Sequence, residues 1–247
     1  MEFVKMNNTL ANGFRILEVL SDGKVYTVKE LSEKFQLPPS HICRLLKTLL
    51  DTGYIEQPEG TRKYRVSLKI LTLANAWMRH SALRIIGRPH LQRLSRDLNC
   101  QAYLAEFWHG HSIVIDVTYP EGGMADPSMT VGQVHRSAAS ACGRVCAAYA
   151  GPADLEALVE ELRADGTSEE TISAFLGDLP GIRKTGLSVR PEADLLAVAA
   201  PILQNRDTFC GALGIFFPGL TRKDLTPAII NALKTSAKAI STTLLPT

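Results

Sequence analysis

Residues 36–56, QLPPSHICRLLKTLLDTGYIE, carry the reading on which the fold turns. Between Ser40 and Leu50, Ile42, Leu45, Leu46 and Leu49 recur at i, i+3, i+4 and i+7, the apolar stripe of an α-helix. Ser40, Arg44 and Lys47 fall on the opposite side, with His41, Cys43 and Thr48 on the flanks. Just upstream, Val28, Leu31 and Phe35 make a second short helical face. Thr27 with Glu30 three residues on is a capping-box signature for its start. Two short helices joined by a turn over 37–39 form a helix-turn-helix, whose second helix enters the DNA major groove. The same spacing suits an ordinary pair of core helices, and the stretch alone does not separate the two.

The flanking sequence does. Gly53 stops the second helix, and residues 54–56 and 63–66 then make two short strands around PEGTR. An earlier helix is marked by Leu10, Phe14, Leu17 and Leu20 and ends at Asp22-Gly23. Three helices and a hairpin make a winged helix-turn-helix. Arg62 and Lys63 sit at the hairpin tip, with Arg65 close by, where a wing meets phosphate or the minor groove. Charge agrees: residues 1–80 hold 12 Lys and Arg against 8 Asp and Glu, whereas the whole 247-residue chain is only +2. A basic N-terminal part on an acidic remainder points to a polyanion partner.

Beyond the hairpin, residues 68–78 (LKILTLANAWM) are too apolar for a solvated linker and read as a connecting helix that also helps the chain dimerise. Pro89 then introduces a further helix, with Leu91, Leu94 and Leu98 as its buried face. From Gln101 the period changes. Residues 101–108 and 112–119 read as strands joined by His109-Gly110-His111, a loop spans 121–127, and 128–131 reads as another strand. Residues 137–150, rich in Ala and Ser, form a helix packed on a sheet; 154–163 and 168–176 are amphipathic helices. Residues 195–203 and 209–217 are apolar strands around a hairpin over 204–207. A last helix starts at Thr226-Pro227 and buries Ile229, Ile230, Leu233, Ala237, Ile240 and Leu244. The expectation is an α/β protein of two domains: a winged helix-turn-helix over 1–67, a linker and dimerisation helix over 68–84, and an α/β effector domain over 85–247.

Several function classes find no motif. The sequence has no glycine-rich nucleotide loop, no G-x-S-x-G elbow and no H-E-x-x-H. His109 and His111 lie in a hairpin turn and are expected to be solvated. Glu106 and Asp116 are not paired as acid and base. No catalytic residue, metal or cofactor is therefore expected. Five cysteines are too few for a disulfide scaffold. Cys142 and Cys146, at i and i+4, read as buried thiols on one helix face; the alternative is a thiol-based redox sensor or enzyme. The start MEFVKMNNTL lacks a secretion signal, and the longest apolar run is under half a membrane span, so a cytoplasmic chain with no membrane partner is expected. The start of the 137–150 helix offers backbone N–H groups among small residues, where an organic anion can be held; close packing on a sheet accounts for the same composition.

Taken together, FRILEVL, LPPSHICRLLKTLLDTGYIE, SAASACGRVCAAY, VAAPIL and GALGIFF, in that order, resemble the IclR family of bacterial transcription regulators, over about residues 9–245. The resemblance implies an N-terminal winged helix-turn-helix joined to a GAF-like effector-binding domain, in dimers or dimers of dimers on palindromic double-stranded DNA operators. It places Ser40, His41, Arg44 and Lys47 in the recognition helix; Arg44 matches the family's arginine, while His41 stands for a common threonine and Cys43 for a common histidine. It places the effector pocket at Ser140, Ala141, Cys142, Leu195, Ala197, Gly214 and Phe216. Ala197 replaces a common cysteine, and Gly214 and Phe216 replace small polar residues. Arg190 falls in Gly186-Leu187-Ser188-Val189-Arg190, where an acidic residue commonly follows the family's glycine-tyrosine-alanine sequence. Fewer hydroxyls and an added aromatic favour a bulkier, more apolar organic acid than one of two or three carbons, with Arg190 available to pair its carboxylate.

Overall fold

The structure is a computed structural model that describes residues 6–108, 111–122, 129–136, 138, 140–192, 195–204 and 208–244, with backbone alone at 136, 191 and 192. The chain divides into two compact units, Met1–Arg79 and His80–Thr247.

The first unit opens with α1 (Asn8–Leu20), capped by the Asn7 side chain, and α2 (Val28–Phe35), whose capping box at Thr27 and Glu30 is formed as the sequence indicates. α2 ends because Gln36 takes a left-handed conformation (φ 53°), and Ser32 Oγ then donates to the Leu37 carbonyl. That tight turn feeds α3 (Pro39–Asp51), with proline at its first position, where a missing N–H costs nothing. Ile42, Leu45 and Leu46 of α3 meet Ile16 and Leu20 of α1 and Leu31 of α2 in one small core. The wing is β1 (Ile55–Glu56) against β2 (Arg65–Val66), and Tyr64 extends it by pairing with Tyr26. The buried face of α1 differs from expectation. Ile16 and Leu20 fill the core and Leu17 is half-buried, whereas Leu10 and Phe14 are both 59% exposed. The i, i+4 pair that faces α3 sits on another stripe of the helix, and sequence spacing alone could not choose between two apolar stripes. α4 (Ile70–His80) follows with no buried residue of its own.

The second unit is a six-stranded antiparallel sheet in the order β5-β4-β3-β8-β7-β6. Its strands are β3 (Gln101–Trp108), β4 (His111–Thr118), β5 (Val134–Arg136), β6 (Ser188–Glu192), β7 (Leu195–Gln204) and β8 (Thr208–Pro218). One face is covered by α5 (Ala82–Leu98) and α9 (Pro227–Thr243), the other by α6 (Ala141–Tyr149), α7 (Pro152–Ala164) and α8 (Glu169–Thr185). Alternation along the strands divides the residues: Leu196, Val198 and Ala200 enter the α5/α9 core, and Ala197 and Ala199 enter the α6 core.

Four expected boundaries move. α5 does not begin at Pro89; it begins at Ala82, where the Ser81 side chain caps the Arg84 N–H, and Pro89 lies inside it. Its buried face, Leu83, Gly87, Leu91 and Leu94, runs through the proline, so packing outweighs the lost hydrogen bond. α6 spans less than 137–150: Ser140 supplies the N-cap, and Ser137 and Ala139 lie outside the described residues. α8 continues past 176 because Leu179 and Ile182 prolong the stripe of Ile172 and Phe175; Gly186, left-handed at φ 62°, ends it. The strand expected over 128–131 falls on Val134–Arg136 instead, since Thr130 to Gln133 close a turn; Ser128 lies outside the described residues. In α9, Leu233, Ser236, Ala237 and Ile240 are buried, while Ile229 and Ile230 are only half-buried near its open end. The hairpin connections at 109–110 and 205–207, and Gly123, Asp126 and Pro127 of the expected loop, also lie outside the described residues.

Candidate functional sites

In the first unit, burying Ile42, Leu45 and Leu46 turns the other side of α3 to solvent. Ser40, Cys43, Arg44 and Lys47 are exposed there. His41 is half-buried, and its Nδ1 lies 3.0 Å from Arg44 Nη2. A guanidinium only donates, so Nδ1 is the acceptor in this pair. That pair braces Arg44 along the helix. In the wing, Arg62 and Lys63 are exposed, whereas Arg65 is held by Glu56 at 2.7 Å across the two strands. Arg65 is therefore a strand-pairing residue, unlike the two basic residues before it. Lys69, which the sequence did not single out, closes the C-terminus of α3. Its Nζ donates to the Thr52 carbonyl at 2.6 Å and lies 4.8 Å from the centre of the Tyr54 ring. An apolar groove of about 980 Å³ lies within this unit, with Leu10, Phe14, Leu17, Leu49, Ile70 and Leu73 in its wall.

In the second unit, strand register sets the positions singled out from sequence. Arg190 of β6 pairs with Ala197 of β7, Ala197 with Phe216 of β8, and Phe216 with Gln101 of β3. Directly opposed residues share a face, so these four form one row under α6. The next row is Ser188, Ala199, Gly214 and Tyr103. Ala141 and Cys142 of α6 are fully buried above the sheet, and Ser140 Oγ accepts the Gly143 N–H at 2.9 Å. Arg190 Nη1 donates to the Ala138 carbonyl at 3.4 Å, which brings the guanidinium to the start of α6. Leu195 is half-buried at the near end of β7. Ser140, Ala141, Cys142, Arg190, Leu195, Ala197, Gly214 and Phe216 thus lie in the layer where α6 packs on the sheet.

Four residues of this layer escaped the sequence reading. Tyr103 is 1% exposed and occupies the space Gly214 leaves: a Cβ at 214 would stand 2.4 Å from the ring and 2.8 Å from Cys142 Sγ. Gln101 is fully buried and reaches the Met129 carbonyl. Arg144 is buried, pairs with Asp178, and lies over the Phe175 ring. Ser188 is 1% exposed, and its Oγ has no hydrogen-bond partner among the described residues. A signal for Ser188 existed, since Leu187 and Val189 alternate with Ser188 and Arg190; for Tyr103 there was none, because only register sets it against Gly214.

Burial pushes the Cys142 thiol up to about 12, and Cys146 is also raised. Redox or nucleophilic chemistry needs an accessible thiolate, and both groups are protonated and closed off. His111 is not solvated as expected: it starts β4, and its Nε2 lies 3.0 Å from Glu161 of α7. His109 lies outside the described residues. Among the described residues no three metal-ligating side chains converge, and no helix is long and apolar enough to cross a membrane. Asp116 is 3% exposed and held by Arg84 and Arg88, a structural cluster on the α5 side.

Comparison with known proteins agrees with both units. The IclR helix-turn-helix domain matches residues 9–59, and the bacterial transcriptional regulator IclR C-terminal domain matches residues 75–242. The regulator BhcR of Paracoccus denitrificans is 25% identical over 233 residues, covering 89% of this chain and 82% of its own. An IclR-family regulator from Brucella abortus shares the fold at TM-score 0.83 and 21% identity, over 99% of this chain and 95% of its own. An IclR homologue from Microbacterium hydrocarbonoxydans, solved with 4-hydroxybenzoate, does so at TM-score 0.74 and 22% identity, over 95% and 98%. With a winged helix-turn-helix followed by this six-stranded domain, and family matches across most of its length, the chain belongs to the IclR family of transcription regulators.

Proposed function

We propose that the chain reads a palindromic operator through α3 and the wing, and that a small aromatic or otherwise bulky organic acid, held between α6 and the sheet, modulates that binding. The observation that carries the DNA reading is the polar face of α3: Ser40, Arg44 and Lys47 stand exposed on a helix whose opposite face is the core. In this reading Ser40, His41 and Arg44 meet base edges, and Lys47, Arg62 and Lys63 meet phosphates. Phosphate neutralisation makes affinity fall as salt rises. The test is selection of bound sequences from a random DNA pool, followed by anisotropy titrations on the recovered site. Arg44→Ala is expected to weaken binding by about 1–3 kcal/mol and to relax sequence preference at one base position per half-site. Unchanged affinity with unchanged preference removes Arg44 from the base-reading set.

The effector reading is supported by the row Arg190, Ala197 and Phe216 beside the start of α6. It sets a cation and helix N–H groups next to an apolar, partly aromatic wall. The relative solved with 4-hydroxybenzoate supports the aromatic class. Strong response to glyoxylate or pyruvate, with none to aromatic acids, in a thermal-shift titration contradicts this reading. Self-association is part of the proposal, since a palindrome is read by paired half-site readers. Leu10, Phe14, Leu68, Leu71, Leu73 and Trp77, between 48% and 80% exposed, supply an apolar surface for it.

A further inference from the structure

We infer that His41 is a positioning residue for Arg44, and that the two side chains act as one reader of a base pair in each operator half-site. The inference rests on the base-reading role given to Arg44 above and adds to it the group that aims the guanidinium. His41 and Arg44 stand three residues apart on α3, a spacing at which side chains meet on a helix surface. Arg44 Nη2 lies 3.0 Å from His41 Nδ1. The other ring nitrogen, Nε2, is buried and has no hydrogen-bond partner among the described residues. One edge of the ring is therefore seated against the protein, and the Nδ1 edge is turned to Arg44. Burying an unpaired ring nitrogen is costly, and the bond to Arg44 is the ring's only one among the described residues.

An imidazole acceptor does here what a carboxylate would not. Arg65 is oriented by Glu56, and the same contact compensates its charge. Arg44 has no carboxylate partner among the described residues; its neighbours one turn away along α3 are Ser40, His41, Lys47 and Thr48. The ring nitrogen thus fixes the guanidinium and leaves its positive charge whole for DNA. One guanidinium N–H is engaged with the ring, and those remaining suffice for the bidentate pairing with guanine O6 and N7 that arginine commonly makes. A long side chain held in place beforehand loses less rotamer freedom on docking. Bracing therefore serves affinity and base choice together.

The test is a double-mutant cycle on the full-length chain, read by fluorescence anisotropy on the selected operator and on its single-base variants. His41→Phe keeps a ring and His41→Ala favours the helix; both remove the acceptor, and melting curves show which is folded. The folded variant is expected to bind the operator about three- to tenfold more weakly, the value of ordering one long side chain at an interface. It should also lose preference at the base pair that Arg44→Ala affects. In the Arg44→Ala background the same substitution is expected to change affinity by about twofold or less. His41→Asn, whose Oδ1 stands one bond beyond Cγ as Nδ1 does, is expected to restore both affinity and preference. An equal loss in both backgrounds, a preference kept without the acceptor, or no rescue by asparagine overturns the positioning role and leaves Arg44 a base reader on its own. Failure of both acceptor-free variants to fold assigns His41 to the core and overturns it likewise. If Arg44→Ala itself alters neither affinity nor preference, the base-reading role of Arg44 and this inference fall together.

Discussion

Cys142 lies against the Tyr103 ring with no exposed surface, and its thiol, raised to about 12, stays protonated at neutral pH. Iodoacetamide is therefore expected to label Cys43, exposed on α3, well before Cys142 and Cys146, which become reactive only when the chain unfolds. Mass spectrometry of timed samples reads this directly, and rapid native labelling of Cys142 would revive a thiol-based activity. The same contact makes Gly214 a position of steric, not conformational, constraint, because the Tyr103 ring and Cys142 Sγ fill the space a side chain needs. Gly214→Ala should lose about 1–3 kcal/mol of stability in urea titrations, the usual range for overpacking. Adding Tyr103→Leu to that variant should recover part of the loss; no recovery would mean that the strain lies elsewhere.

β3 and α5 meet at Glu106, which hydrogen-bonds Ser81 Oγ at 3.4 Å, the residue that caps α5. Burial raises the Glu106 carboxyl above its ordinary range, outweighing the lowering by Ser81. The sign follows from linkage. A carboxyl harder to ionise when folded binds more protons in the native state, so stability falls as pH rises from its unfolded pKa through its folded one. Glu106→Gln is expected to remove that slope and to raise the melting temperature at pH 7. A variant melting lower than wild type at pH 7 would assign Glu106 a favourable charged role instead. Periodicity revealed most elements of the chain, including α3, its capping-box neighbour α2, and the β7–β8 pair. It failed at the start of α5, where Pro89 reads as a helix start but packing of Leu83 and Gly87 carries the helix through it, and in α1, where two apolar stripes competed and tertiary contacts chose between them.

For the whole molecule, the exposed apolar residues of α1 and α4 are the surface most in need of a partner. Replacing Leu10 and Phe14 together with lysine should shift the protein to a smaller species in sedimentation velocity and weaken operator binding. The small core of Ile16, Leu20, Leu31 and Ile42, which these two residues do not join, should remain intact by circular dichroism. Unaltered sedimentation would move the association surface away from α1. This variant separates loss of pairing from loss of DNA contact, since neither residue lies on the polar face of α3.

The sequence by itself determined the helix-turn-helix, the basic wing, the α/β character of the remainder and the family. All of these are written in local patterns: apolar spacing, caps, turn residues and charge. It also named Arg190, Ala197 and Phe216 as separate positions. Only the tertiary structure made them a row, because antiparallel register between β6, β7 and β8 joins residues far apart in the chain. The same register set Tyr103 against Gly214 and buried the Ser188 hydroxyl with no partner among the described residues. A side chain's neighbours across a sheet depend on how strands align, and a one-residue slip would reverse every facing. That alignment is a property of the assembled sheet.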